Sequence, residues 1–242
     1  MRAIVSRDVT SPVLLAVICL AAAGTACAQS ATSARDSALP AAGRPVARIS
    51  SISWDTESSR DGVGEAERVF ALLKIGPDTR VADIGAGAGY YTVRLARRLG
   101  PGATIYAQDI KQAILDSLGA RLAREQLRGV TLVVGRPDDP RLPPASVDLA
   151  LLSHMYHEIA RPYHFLFNLH AALAPGGRVA IIDSDKPTQS HGTPPSLLRC
   201  EMAALGYREL SFDQLAPASG YLAVFAAPDS LPARSGVTAC AA

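Results

Sequence analysis

Between residues 63 and 226 the chain alternates short apolar runs with longer segments whose apolar positions recur every three or four residues. The short runs fit strands buried on both faces, and the longer segments fit helices that cover them. Their alternation calls for an α/β fold with helices packed on both sides of a mostly parallel sheet. Strands are predicted over 80–84, 104–108, 130–134, 147–152, 178–183, 207–212 and 221–226, and helices over 63–73, 90–99, 111–125, 162–173 and 195–205. Gly76-Pro77, Gly100-Pro101 and Pro175-Gly176-Gly177 follow three of these helices and supply helix-stopping positions. The flanks lack periodicity and are rich in small residues, so 29–48 reads as a flexible linker and 229–242 as a disordered tail around a domain at 49–228.

Residues 1–28 differ in kind. Arg2 and Arg7 precede an apolar run over 13–23, and small residues follow, which is the order of a secretory signal peptide. The run is about half the ~20 residues that a spanning helix needs, so no stable transmembrane span is expected. Ala26-Cys27-Ala28 fits cleavage before Gln29. A lipid anchor at Cys27 is the alternative, although Gly24 stands where a lipoprotein signal usually has Leu. The chain is therefore expected to be exported to a bacterial periplasm or envelope. Cleavage would leave Cys200 and Cys240, whose pairing the sequence does not decide. Net charge is only +2 over 242 residues, so neither a nucleic-acid partner nor charge-driven disorder is indicated and a small-molecule partner is expected.

The sharpest local feature is Val81-Ala82-Asp83-Ile84-Gly85-Ala86-Gly87-Ala88-Gly89-Tyr90, an apolar strand that runs through a glycine turn into a helix. Glycines there let the chain bend sharply and let a ligand approach the backbone. The dinucleotide pattern G-x-G-x-x-G would require glycine where Tyr90 stands. Instead the spacing is G-x-G-x-G, with Asp83 at the carboxyl end of the strand, which suits a ligand carrying an ammonium group and no pyrophosphate. Asp109 closes the next strand, near the offset at which a carboxylate reaches ribose hydroxyls.

This segment resembles motif I of the class I S-adenosylmethionine-dependent methyltransferases. The likeness extends through Val133-Val134-Gly135, Asp138-Asp139-Pro140, Ser146-Val147-Asp148-Leu149 and Leu173-Ala174-Pro175-Gly176-Gly177. It implies a Rossmann-like three-layer sandwich whose seven-stranded sheet ends in an antiparallel hairpin, and S-adenosylmethionine as cofactor. It also implies cofactor contacts by Asp83, Gly85, Ala86, Gly87, Gly89, Asp109, Ile110 and Ser153, with Asp138 on the adenine amino group. Arg136 departs from the pattern, because the family often has an acidic residue there.

Methyl transfer from a sulfonium asks the protein mainly to orient the nucleophile and exclude water. Where the acceptor carries a proton, histidine suits the base. Ser153-His154-Met155-Tyr156-His157-Glu158 follows the fourth strand, so His157 is the first catalytic candidate, with His154 and Tyr156 beside it. The competing structural reading is that this segment only begins a helix. His191 lies on a separate loop where it would help close the pocket; no zinc-type Cys/His spacing occurs and no metal is expected. Trp54 and Tyr163 read as packing or lid residues, and Arg94, Arg97 and Arg98 as a solvated helix face. Two other functions stay open: an exported ligand-binding protein that kept the fold without the chemistry, and an NAD-type oxidoreductase, against which the missing glycine counts.

Overall fold

The computed structural model describes residues 39–49 and 57–241. The expected export signal, the first part of the expected linker and Trp54 lie outside the described residues. Seven strands form one sheet: β1 Val81–Ile84, β2 Ile105–Asp109, β3 Val130–Val134, β4 Val147–Ser153, β5 Leu173–Asp183, β6 Arg208–Gln214 and β7 Tyr221–Ala226, in the order β3-β2-β1-β4-β5-β7-β6. The first five are parallel, while β7 runs antiparallel to both β5 and β6. This is the expected Rossmann-like sandwich with its carboxyl-terminal hairpin.

Period-two alternation along the central strands divides the core. Ala82, Ile84, Ala150, Leu152, Val179 and Ile181 face α5 (Pro162–Ala172) and α6 (Pro195–Ala203). Val81, Leu149, Leu151, Ala180 and Ile182 face α2 (Glu65–Leu73) and α3 (Tyr90–Leu99). Between β2 and β3, α4 (Gln112–Arg124) packs Leu118 and Leu122 on Ala107 and Val93. Because both faces of the inner strands are covered, their sequences read as continuous apolar runs.

The structure departs from the sequence reading at the amino end. The helix expected over 63–73 forms as α2 from Glu65, and a further short helix, α1 (Glu57–Gly62), precedes it across Gly64, whose φ of 64° is left-handed. None of α1's residues is buried, so it has no apolar stripe to announce it. It is held by charge instead. Glu57 accepts from Arg121 at 2.9 Å and Arg94 at 3.3 Å, and the Arg60 guanidinium lies 3.6 Å from the centre of the Tyr90 ring. Arg94, expected on a solvated face, thus clamps α1.

Both expected flexible flanks are partly docked. Leu39 and Val237 join the α5/α6 core, and Gly43 pairs with Ala241. A Cβ at Gly43 would lie 2.3 Å from the Cys240 carbonyl oxygen, so the two segments meet closely enough to require glycine. Cys240 is disulfide-bonded to Cys200 in α6, and its N–H donates to the Tyr163 hydroxyl at 2.6 Å. Tyr163 is therefore a packing residue. Arg44 is fully buried, donating to Glu201 at 2.8 Å and to the carbonyls of Tyr156, His157 and Ile159 at 3.3–3.5 Å. Small-residue composition concealed these few long-range anchors.

Removing one partner of a buried ion pair strands the other charge, whereas replacing both with apolar side chains removes the desolvation cost as well. Arg44→Ala is expected to lower stability by about 3–5 kcal/mol, and Arg44→Met with Glu201→Leu to recover most of that loss. Urea denaturation of the two variants and the parent checks the ordering.

Candidate cofactor site

The pocket opens where the strand order reverses, between the carboxyl ends of β1 and β4, as the rule for open α/β sheets requires. Its walls come from the turn after β1 (Gly85 to Ala88), the end of β2 (Gln108 to Lys111), Arg136 and Pro137 after β3, and Ser153 to Met155 with Glu158 after β4. Glu57 and Arg60 of α1 contribute from above the crevice, beside Tyr90.

The glycines divide their work. Gly85 has φ +68°, a left-handed conformation that favours glycine, and a Cβ there would also crowd Met155 Cγ at 3.1 Å, where the turn packs on the β4 loop. Gly89 has φ +89° and would press its Cβ to 2.3 Å from Leu118 Cδ1. It starts α3 and lets α3 and α4 pack closely, which is a structural task away from the pocket lining.

Asp109 carries the clearest recognition geometry. Its Oδ2 accepts from the Gly87 N–H at 3.2 Å and its Oδ1 from the Lys111 N–H at 3.0 Å, so the carboxylate is fixed against the glycine turn while lining the pocket. Gln108 Oε1 accepts from the Gly85 N–H at 3.4 Å. Asp83 lies beneath this surface. It is 2 % exposed, and its Oδ2 accepts from the Thr92 hydroxyl at 2.5 Å, which ties β1 to the first turn of α3. Burial pushes its carboxyl up to about 6, against the lowering effect of the Thr92 hydrogen bonds.

Of the residues expected at the site, Gly85, Ala86, Gly87, Asp109, Ile110, Ser153 and His154 line one pocket. Asp83 and Gly89 support it from behind. Asp138 is not brought in: its carboxylate accepts from Arg161 at 2.8 Å, and Arg136 and Pro137 form the wall at that point. Asp139 caps its own turn by accepting from the Arg141 N–H at 2.8 Å.

The catalytic candidates separate. His154 lines the pocket in a left-handed conformation, φ 50°, and burial lowers its imidazole to about 4, so it is neutral near pH 7. Tyr156 turns into the core, where its hydroxyl donates to Glu201 at 2.8 Å and the Arg44 guanidinium stands 5.5 Å from the ring centre. It is a structural residue. His157 is also fully buried, its Nδ1 lying 3.0 and 3.1 Å from the two Asp183 oxygens. Asp183 accepts in addition from the Thr193 hydroxyl at 2.7 Å and the Ser184 N–H at 2.8 Å. A carboxylate so engaged fixes His157 as the Nδ1–H tautomer. The His191 ring, expected apart, stands edge-on 5.3 Å from that of His157.

A family model described as a methyltransferase domain matches residues 82–181, which run from within β1 through most of β5 and include the glycine turn and Asp109. Over these residues, less than half of its length, the chain is similar to a methyltransferase domain. Among curated relatives it is similar to the biotin biosynthesis bifunctional protein BioHC of Cellvibrio japonicus, 36% identical over 104 residues, covering 43% of this chain and 19% of the relative. It also resembles the demethylmenaquinone methyltransferase of Listeria monocytogenes, 22% identical over 121 residues, covering 50% and 51%. The chain thus spans about half or less of these relatives' length. A methyltransferase structure from Aquifex aeolicus shares the fold with a TM-score of 0.61 at 22% identity, covering 70% of this chain and 92% of the other.

Several pocket residues had no signal in the sequence. Arg60 and Glu57 sit on the unannounced α1, while Gln108, Lys111 and Met155 flank motif positions without belonging to a pattern. Arg60 also pairs with buried Glu65 and reaches the Ser153 hydroxyl at 3.4 Å, so it links α1, α2 and the end of β4 across the pocket.

The raised Asp83 carboxyl has a definite thermodynamic sign. The native state holds the proton more tightly than the unfolded chain, so its contribution to stability is full below about pH 4 and is lost as pH rises through 6. Asp83→Asn keeps an acceptor for Thr92 without a charge to bury. The variant is expected to gain stability over the parent at pH 7.5, by up to ~3 kcal/mol, with the gain vanishing toward pH 4. Thermal melts of both proteins across that range test it.

Proposed function

We propose that this chain transfers the methyl group of S-adenosylmethionine to a small-molecule acceptor in the bacterial envelope. The observation that carries the reading is Asp109, a carboxylate fixed by two backbone N–H groups against a glycine turn and facing the pocket. Two oxygens at that point suit the paired hydroxyls of a ribose. Arg60 offers a guanidinium suited to the carboxylate of the methionine end. The donor supplies an electrophilic methyl on a sulfonium. His154, uncharged at neutral pH, adds no positive charge to repel it. The chain's own contribution is then orientation and exclusion of water, with His154, Met155 and Glu158 forming the acceptor side.

A small acceptor is supported by the relatives, which include a nocamycin O-methyltransferase from Saccharothrix syringae, 31% identical over 88 residues, besides the menaquinone enzyme. Export is supported by the charged, apolar and small-residue order of 1–28 and by the Cys200–Cys240 disulfide, a bond that persists in oxidising compartments.

Calorimetry with S-adenosylhomocysteine tests the donor site. The processed chain is expected to bind it and not NAD, and Asp109→Ala to lose about 1.5–3 kcal/mol of affinity, or roughly 10- to 150-fold. Binding of NAD alone, or no effect of Asp109→Ala, sinks the reading. Fractionation of expressing cells is expected to recover the chain outside the cytoplasm, with Cys200 and Cys240 resistant to alkylation until reduced. Accumulation of a precursor under globomycin would show lipid attachment at Cys27 in place of soluble release.

A further inference from the structure

We infer that His157, Glu158 and His191 form a binding site for one divalent transition-metal ion at the acceptor side of the pocket. One ligand atom from each of the three side chains lies within 4.8 Å of the other two. Tetrahedral bonds of about 2.0–2.1 Å would separate donors by roughly 3.3–3.5 Å, so modest side-chain adjustment brings the three onto an ion.

The surroundings are those of a built site. A metal-bound histidine typically gives its second ring nitrogen to a carboxylate, which fixes the tautomer and raises ligand basicity. His157 has this arrangement: Nδ1 is held by Asp183, which leaves Nε2 as the ligating nitrogen. Asp183 is in turn fixed by Thr193 and Ser184. His191 sits at φ 56°, a left-handed conformation uncommon for a residue with a side chain, and its N–H donates to the Thr188 carbonyl at 3.2 Å. The next residue allows no side chain, because a Cβ on Gly192 would lie 2.5 Å from the Ser184 carbonyl oxygen. Both histidine-bearing loops are therefore held in place, one by this turn and the other by Arg44 on the carbonyls of Tyr156, His157 and Ile159.

Two imidazoles and one carboxylate favour zinc, iron(II), cobalt or manganese over the hard ions calcium and magnesium, which prefer all-oxygen sets. With three protein ligands, coordination positions remain for a small molecule. Glu158 lines the pocket, so those positions open toward a bound acceptor. On the methyl-transfer reading, the ion would hold an acceptor hydroxyl and lower its pKa so that its proton passes to solvent, and the oxygen would then bond the methyl carbon as the S–CH3 bond breaks and S-adenosylhomocysteine leaves. The binding site itself does not depend on that reading.

The test uses the processed chain purified without a histidine tag. It combines elemental analysis of the protein as isolated with cobalt(II) titration of chelator-treated protein, followed by visible ligand-field absorption. About one ion per chain, and cobalt bands saturating at one equivalent, are expected. His191→Gln and Glu158→Gln should each weaken cobalt binding at least about tenfold, while His191→Gln keeps its melting temperature and its S-adenosylhomocysteine affinity within about twofold. The proposal is overturned if a chain with a normal melt shows no stoichiometric metal and no cobalt bands, or if both substitutions leave cobalt binding unchanged. Cobalt binding without S-adenosylhomocysteine binding would uphold the metal site and reject the donor site.

Discussion

Neighbouring strands β1 and β4 are parallel, yet the chain leaves them toward opposite faces of the sheet, β1 into α3 and β4 toward α5. No helix can cover the gap between those departures, so a crevice persists at their carboxyl ends however the rest of the domain is packed. The side chains and N–H groups argued to bind lie along this line. The glycine turn lines the crevice, with Gly85 packed on Met155. Asp109 reaches the same line because β2 pairs with β1 in a register that sets Gln108 beside Ile84.

The two sides of the crevice are made rigid in different ways. The donor side is local: two paired strands, one turn and the start of one helix, tied by Thr92 to Asp83 and by Gly87 to Asp109. The acceptor side is assembled from distant parts of the chain. Arg44 from the amino-terminal segment, Glu201 from α6 and Asp183 from β5 converge on the short stretch from Tyr156 to Ile159. Buried charged groups of this kind add little net stability, since desolvation offsets their attraction. What they supply is position: a loop with satisfied carbonyls and a histidine with one defined tautomer.

This difference explains what could be read from the sequence. That the glycine turn and Asp109 meet at one pocket was legible because backbone conformation and strand-end position place them within a few residues, whereas Asp83, read as a contact, lies beneath that surface. His157 and Tyr156 were chosen from a loop that does line the pocket, but the turn there sends adjacent side chains to different places, and no periodicity reveals which one meets the pocket. Asp138 was misassigned for a related reason: the β3 edge turn directs it to Arg161, a partner on another element. The pairing of His157 with His191 arises only when the loops after β4 and β5 lie side by side, and β4–β5 register is a property of the sheet. Arg44, Leu39 and Val237 were hidden by their neighbours, since isolated anchors in small-residue segments produce no pattern.

Asp83 shows where function and stability diverge in this domain. A buried carboxylate raised to about 6 is costly at neutral pH, and an uncharged amide would satisfy Thr92 with less penalty. Such a charge is retained at stability's expense when it acts on something beyond the fold. Directly above it lies the turn that faces the pocket, where a sulfonium-bearing amino acid would bring two positive centres near a region otherwise supplied with backbone N–H dipoles. On the proposed reading, a negative charge under the turn would offset both. Because Asp83 is withdrawn from the pocket surface, it can do so through the field without competing for the hydrogen bonds that Asp109 and the turn make directly.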